Sequence, residues 1–595
     1  MGIHTSRQHR LEESLRQSCS PEVPRAVLEK FSGLVRLSGN DDERAAVDYL
    51  VRRLEEFGVR YELRTPTLFV SWPVSATLRA LGDAPLEVRA KTPSMSASTS
   101  AREVEGKLVY LPTGYAGDVT DIFDVGEIAD VDVRGKVVIT EGMPMPPKVG
   151  ELTARGVMAA VFVAPGEYIH EGICTTIWGS PDLDSMDRQP SIPVLAVNQS
   201  EGRALIGRAG NGDCRVTFST ELETGWRPIP VLVAEVPGRS LPEEFVLVHG
   251  HLDSWHYGVG DNAVGDAALL ELARVFQQHS DHLERSVRIA WWSGHSHGRY
   301  AGSTWYADTQ AIDLAENCVA HVNCDSPGCR EATVYTDVMW TEECGPLASA
   351  AVRDVTNLEA EWVRPLRAGD YSFSNLGISG FFMLSSTTPE ELREEKGYYT
   401  VGGCGGNIQW HTEDDTLEVA DEGNLLRDIR LYATAIARAA NAPVPPFDFR
   451  LTLEQFERAL SRYQALAGNR FDMGAAGSAI TALRAELDRF YSEAEGWLEL
   501  GITHPKARRA AAAQRKLARI LIPVNYAREG RFRQDPAVNV PALPDLALVS
   551  RLAVATPGSH EEYAARISLQ RGLNRLVWAL RRAREVVVGT GVVED

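Results

Sequence analysis

Four short apolar runs constrain this chain more than any other feature. They are FVLVHG at 245–250, VRIAWW at 287–292, CVAHVN at 318–323 and GFFMLS at 380–385. Each is bounded by turn residues and reads as a buried central strand. Helical stretches lie between them, such as Ala263 to Gln278. Strand-helix alternation predicts an α/β fold with a mostly parallel sheet covered on both faces. In such a sheet the ligand site lies beyond the carboxyl ends of the strands. That rule gathers His249, His251, Ser293 to His297 and Asp325 at one rim.

The rest of the chain surrounds this unit. Asp41 to Gly58 has helical periodicity, with Val47, Leu50, Val51 and Leu54 on one face and Gly58 as the stop. Val59, Tyr61 and Leu63 then alternate as a strand. From about Glu103 to Thr220 short strands are punctuated by Gly, Pro and Asp (133–140, 158–165 and 192–197), with one helical stretch near 148–156, which predicts a β-rich insertion. After the PVPP segment at 443–446 the chain turns helical, through 453–467, 478–498, 505–520 and 560–586, and Thr452 with Gln455 offers a capping box. With 595 residues the chain exceeds one core, which stops growing near ~250–300 residues. The expected units are an α/β domain of 1–102 and 226–445, an inserted β domain of 103–225, and a helical domain of 446–595.

Charge and cysteines exclude several classes. A formal net charge of -20 argues against a nucleic-acid partner, which needs a basic face. No apolar run is long enough to span a membrane, and the polar start MGIHTSRQHRLEESLRQ lacks a signal-peptide core. Gly2 and Ser6 fit a short acylation pattern that chance produces readily. Eight scattered cysteines without a CxxC pair suit reduced thiols in a cytoplasm.

Candidate chemistry lies in four pieces. HGHLDSW (249–255) brings His251 to a strand end, with Asp253 near enough to orient its imidazole. GVGDNAVG (258–265) sets Asp261 in a glycine-flanked turn before a helix. A helix cap would explain Asp261; so would a carboxylate bridging two metals. Asp325 follows a buried strand in HVNCDSPG, and His411 follows a glycine-rich loop in IQWHTEDDT. Mixed nitrogen and oxygen donors of this kind suit one or two divalent ions, zinc first among them.

In this order the motifs HxDSW, GDNAxG, WWSG…GSTWYA, NxDS and WHTEDDT resemble the zinc aminopeptidase family that includes glutamate carboxypeptidase II and the transferrin receptor. The resemblance covers nearly the whole chain. GKVVIT and RGVMAAVFV resemble that family's protease-associated domain, and the helical tail resembles its dimerisation domain, which implies a homodimer. By position, the resemblance implies that His251 and Asp325 hold one metal, that Asp261 bridges, and that His411 holds a second.

The chain departs from the family at one place. Where the family has two adjacent glutamates, a general base followed by a ligand of the second metal, this chain reads WWSGHSHGRYAGS (291–303). Counting from Trp292 puts His295 and Ser296 at those positions; counting back from Gly302 and Ser303 puts Ser296 and His297 there. His297 or His295 could replace the carboxylate on the metal, with the remaining histidine as base; we take His297 as the ligand and His295, Ser296 and Asp253 as the candidate catalytic group. Loss of an anionic ligand favours a carboxylate-bearing small substrate or an unusual metal. Arg299, Arg364, Arg367, Tyr371 and Tyr398 are candidate pocket residues. The expected activity is metal-dependent hydrolysis of a peptide-like or other amide bond. The alternatives are a metalloenzyme that has left peptide chemistry, such as a lyase, and a non-catalytic binding protein.

Overall fold

The computed structural model describes residues 6–123, 128–212 and 214–591, so Gly2 lies outside the described residues. The apolar runs form a six-stranded sheet in the order Arg60–Arg64, Val231–Val236, Arg285–Trp292, Leu241–His251, Cys318–Asn323, Gly380–Phe381. The last four strands are mutually parallel, and the first two add an antiparallel edge. Period-two alternation sends Val246 and Val248 to one core, with helices Val264–Gln278 and Glu422–Asn441. It sends Phe245 and Leu247 to another, with Tyr306, Ala307 and Leu314. The sheet is thus covered on both faces, as expected. The run at 380–385 contributes only Gly380–Phe381 as strand. The Arg60–Arg64 edge strand is exposed along its length.

Helix Asp41–Phe57 starts at Asn40, whose side chain accepts from the Glu43 amide. It ends at Gly58 in the left-handed region, φ 69°.

A second sheet has seven strands, in the order Leu86–Val88, Thr67–Ala80, Arg215–Pro228, Val104–Tyr110, Val137–Glu141, Ala159–Val163, Val194–Val197. Its first strand in sequence begins at Thr67, so the inserted sheet takes in residues that composition assigned to the α/β unit. The reason is pairing. Thr67–Ala80 runs antiparallel to Arg215–Pro228 along nearly its full length, and this long ribbon is both entrance to and exit from the insertion.

The C-terminal part is helical, with long helices Phe449–Ala467, Gly474–Ser492, Pro505–Tyr526 and His560–Val588. The cap of the first is Asp448, which accepts from the Arg450 amide. Thr452 is instead buried inside the helix and donates to Glu343 Oε2 at 3.3 Å. Arg519 ties this part to the central sheet by donating to the carbonyls of Ala315, Gly377, Leu314 and Cys318. Among the described residues no helix is long and apolar enough to cross a membrane.

Candidate metal centre

The proposed ligands reach the rim from two strand ends, a turn and a loop. His251 closes the strand Leu241–His251, Asp261 sits in the turn Val259–Ala263, and Asp325 lies two residues past Cys318–Asn323. His411 comes from a loop and has φ 56°. Their meeting point is one carboxylate. Asp261 Oδ1 lies 2.7 Å from His251 Nε2, and Asp261 Oδ2 lies 2.9 Å from His411 Nε2. Asp325 Oδ1 is 3.8 Å from His251 Nε2. Asp261 caps no helix; its side chain is given to the two imidazoles.

The far side of each ring fixes its tautomer. His251 Nδ1 is 2.8 Å from the carbonyl of Asp253, and His411 Nδ1 is 2.9 Å from the carbonyl of Glu171. A carbonyl only accepts, so both Nδ1 atoms carry hydrogen and both Nε2 atoms turn toward Asp261. For His251 it is the backbone carbonyl of Asp253, rather than its carboxylate, that sets the tautomer. The turn carrying Asp261 is held from below. Asp415 accepts from the amides of Gly260 (2.6 Å) and Asp261 (3.0 Å). Asn262 donates to the Cys324 carbonyl at 3.0 Å and accepts from the Ser326 amide at 3.0 Å. Gly260 permits this closeness, because a Cβ there would lie 2.7 Å from Cys404 Sγ.

Charge is concentrated in this buried space. Burial opposes a proton on His251, yet the adjoining Asp261, with Asp325 and Asp253 beyond, holds its pKa well above the ordinary histidine value. Burial likewise opposes charge on Asp261, but His251 and His411 hold it well below the carboxylate range. Burial, then the charge of Asp261, pushes Asp325 up to about 6. Protons thus occupy places suited to a cation. Neutral imidazoles with exposed lone pairs around a shared carboxylate are the donor set a zinc-like ion takes.

The segment 293–297 resolves the two possible counts. Its backbone is fixed by Ala301 N donating to the Gly294 carbonyl (2.8 Å) and Gly302 N to that of Ser293 (3.0 Å). Asp253 accepts from the amides of His295 (3.2 Å) and Ser296 (2.8 Å) and from Ser38 Oγ (2.6 Å). It braces the turn from behind and does not line the cavity. His297 also points away from the other ligands. Its Nδ1 lies 3.0 Å from Ser38 Oγ and 3.6 Å from Asp253 Oδ2, and its ring packs on Trp255 with centroids 4.3 Å apart. His295 and Ser296 face the cavity, together with Trp255, Arg299, Tyr300, Met383 and Trp410.

His295 Nδ1 is 2.7 Å from Asp370 Oδ2, and Asp370 Oδ1 accepts from Ser303 Oγ at 2.6 Å. Sequence reasoning passed over Asp370, which lies 75 residues away in the chain. His251, His295 and Asp325 each bring a donor atom within 4.8 Å of the others. The two rings, however, stack face to face, with centroids 3.7 Å apart and planes 13° from parallel. An ion shared equally by both rings would lie roughly 1.8 Å out of each plane, nearly the whole Zn–N bond of about 2.0–2.1 Å. Nitrogen lone pairs lie in the ring plane, so His251 and His295 are not ligands of one ion in this arrangement.

Of the other cavity candidates, Arg299 is a buried wall residue and Tyr398 lines a wider groove that shares Val119, Asp325 and Leu384 with the cavity. Arg364, Arg367 and Tyr371 are structural. Arg364 donates to the Asn525 carbonyl (2.6 Å), Arg367 donates to that of Asp535 (2.8 Å) and packs over Trp178, and Tyr371 packs edge-on against His321.

Comparison with known proteins fits this geometry. Residues 232–436 match the profile of "Peptidase family M28". The chain is 23% identical over 497 residues to a probable glutamate carboxypeptidase of Zea mays, covering 73% of this chain and 68% of that one. It is 22% identical over 427 residues to a probable leucine aminopeptidase 2 of Aspergillus oryzae, covering 68% and 80%. Among solved structures, the aminopeptidase from Aneurinibacillus sp. strain AM-1 shares the fold with a TM-score of 0.53 at 19% identity, over 72% of this chain and 96% of that one. The zinc aminopeptidase of Bacillus subtilis does so with a TM-score of 0.52 at 18% identity, over 71% and 95%.

Proposed function

We propose that the chain is a zinc-dependent, peptidase-like hydrolase of the kind described by peptidase family M28, whose profile residues 232–436 match, and that it cleaves an amide bond in a small, carboxylate-bearing substrate, with His295 in place of the family's glutamate base. The observation that carries this reading is the single carboxylate of Asp261 set between the Nε2 atoms of His251 and His411 at 2.7 and 2.9 Å. An ion held by His251, Asp261 and Asp325 supplies, when bound, Lewis acidity toward the scissile carbonyl and a more acidic water.

The remaining work falls to side chains. His295 presents Nε2 to the cavity because Nδ1 is committed to Asp370. It takes the proton of the attacking water and returns it to the departing amine, a role worth typically 10²–10⁴-fold. The imidazolium formed in between is stabilised by the Asp370 carboxylate. Arg299, 4% exposed in the cavity wall, is the cation that meets the substrate carboxylate. Trp255 and Trp410 keep the centre dry.

The seven-stranded insertion takes the part of the family's protease-associated domain, and its residues Gly172 and Ile173 contribute to the cavity wall. On helix His560–Val588, Tyr563, Ile567, Trp578 and Val588 are exposed. At about 100° per residue they share one face, and this supports pairing with a second copy. Eight buried, free cysteines suit a reducing cytoplasm.

The test is a panel of dipeptides and N-acyl amino acids offered to the zinc-loaded protein, alongside elemental analysis. Turnover of carboxylate-bearing members, lost in His295→Gln with zinc retained, is the expected outcome. No turnover of any amide by a zinc-loaded chain refutes the reading.

A further inference from the structure

We infer that the metal centre of this chain is unequal, with one firmly held ion and a second position left short of a ligand because Ser296 stands where a carboxylate is needed. The inference rests on the proposed metal-binding reading and adds to it how the two positions differ.

The donors divide as follows. Around His251 Nε2 stand Asp261 Oδ1 at 2.7 Å and Asp325 Oδ1 at 3.8 Å, two anionic oxygens and an imidazole. Around the other oxygen of Asp261 stands only His411 Nε2, at 2.9 Å. Among the described residues the one group of three or more His, Cys, Asp or Glu with donors within 4.8 Å of one another is His251, His295 and Asp325, and it does not reach His411. His297 does not fill the gap, since it is absent from the cavity lining, with its Nδ1 on Ser38 and Asp253 and its ring packed on Trp255. His295 does not either, since its donor falls in a group with His251 and Asp325 that does not include His411, and its ring lies flat on His251.

Ser296 is the neighbour that fails to supply the ligand. It is 1% exposed, lines the cavity with Asp261 and His411, and its Oγ has no hydrogen-bond partner. A buried hydroxyl without a partner is costly by itself. A neutral hydroxyl is also a poor ligand for a divalent ion, while a carboxylate would be a good one. The backbone is already in place, because the Ser296 amide is fixed on Asp253 at 2.8 Å. A longer acidic side chain at 296 therefore starts from a held Cα and extends into the cavity that His411 and Asp261 also line.

The experiment counts zinc. Native mass spectrometry of the full chain, with chelator competition to set free zinc, should find one zinc retained and a second taken up only at roughly 100-fold or more higher free zinc. That ratio is at the upper end of what losing an outer partner of a ligand costs. Ser296→Glu should bring the second zinc to within about tenfold of the first. His411→Ala should keep the tight zinc, and His251→Ala should lose it. Two zinc ions of similar affinity in the wild-type chain overturn the inference, as does loss of the tight ion in His411→Ala, which decides the matter even where Ser296→Glu does not fold. A wild-type chain that holds no zinc overturns the metal-binding reading itself, and is distinguishable from both.

Discussion

The Asp370–His295 pair offers the sharpest perturbation, Asp370→Asn. Asp370 has φ 56°, a conformation asparagine tolerates well, and the change keeps size and shape. What it removes is a charge 2.7 Å from His295 Nδ1. At that separation a unit pair is worth about 6 kcal/mol with an effective dielectric of 20, and about 1.5 kcal/mol at that of bulk water. The His295 side chain is 11% exposed, so the effective value lies between, near ~3 kcal/mol. That stabilisation acts on the imidazolium that forms as the water is deprotonated, and not on bound substrate. The expected result is a fall in kcat of about 100-fold with KM unchanged, at about 1.4 kcal/mol per factor of ten. Steady-state kinetics on whichever amide the panel identifies would measure it, with zinc content checked by elemental analysis. A kcat within threefold of wild type would refute the dyad. A loss of zinc parallel to the loss of activity would show that His295 is bound up with the ion and not with the proton.

Three further changes probe the scaffold. His170→Ala removes the donor that reaches the Trp410 carbonyl at 2.6 Å; it should weaken zinc binding by about 10-fold or more, and His170→Asn, which keeps a donor near Nδ1, should recover most of that in a chelator titration. Gly265→Ala puts a Cβ 2.2 Å from Asn262 Oδ1 and 2.4 Å from the Cys324 carbonyl, so it should lower the melting temperature and disturb the Asp261 turn together. Burial pushes Glu342 up to about 7 from 4.5. An acid with a raised folded pKa binds its proton more tightly folded than unfolded, so stability should fall as pH rises from about 4.5 to 7, by on the order of 3 kcal/mol, and denaturant titrations of Glu342→Gln should lack that slope.

How much of this was legible before the structure depends on what each residue leans on. His251 and Asp325 were legible because strand ends converge in a parallel sheet, and the apolar runs mark the strands; Asp261 was legible from its glycine-flanked turn before a helix. His411 was legible by motif alone, since it lies in a loop. The choice between His295 and His297 was not legible, because two counts of the turn were equally good. It was decided by hydrogen bonds from residues 295 and 296 to Asp253 and from 301 and 302 back to 293 and 294. Asp370 and Asp415 were not singled out, since the contacts that matter here, to His295 and to the amides of Gly260 and Asp261, come from distant parts of the chain. The start of the insertion was misplaced for a related reason. Composition changes near residue 103, but strand pairing, which composition does not report, begins at Thr67.

The inserted sheet does more than wall the cavity. Glu171 N donates to the His411 carbonyl at 2.9 Å, and His411 Nδ1 donates back to the Glu171 carbonyl at the same distance. His170 holds the Trp410 carbonyl beside it, and Lys91 pairs with both Glu171 (3.0 Å) and Glu413 (2.9 Å). On the other side of the cavity, Trp178 Nε1 donates to Ser372 Oγ at 2.9 Å. Ser372 in turn meets Ser303, which holds Asp370 and so His295. The same insertion therefore orients a proposed metal-ligating imidazole through backbone bonds and the proposed base through a chain of hydroxyls. A shift of this sheet by about 1 Å, enough to break hydrogen bonds of this length, would reach His411 directly and His295 through Ser372. The backbone arm uses the amide and carbonyl of residue 171, while the Glu171 carboxylate is tied separately to Lys91 and His256. The hydroxyl arm requires Trp178, Ser372 and Ser303 by name. Trp178→Phe, which removes the donor to Ser372, should accordingly act on kcat and not on zinc content.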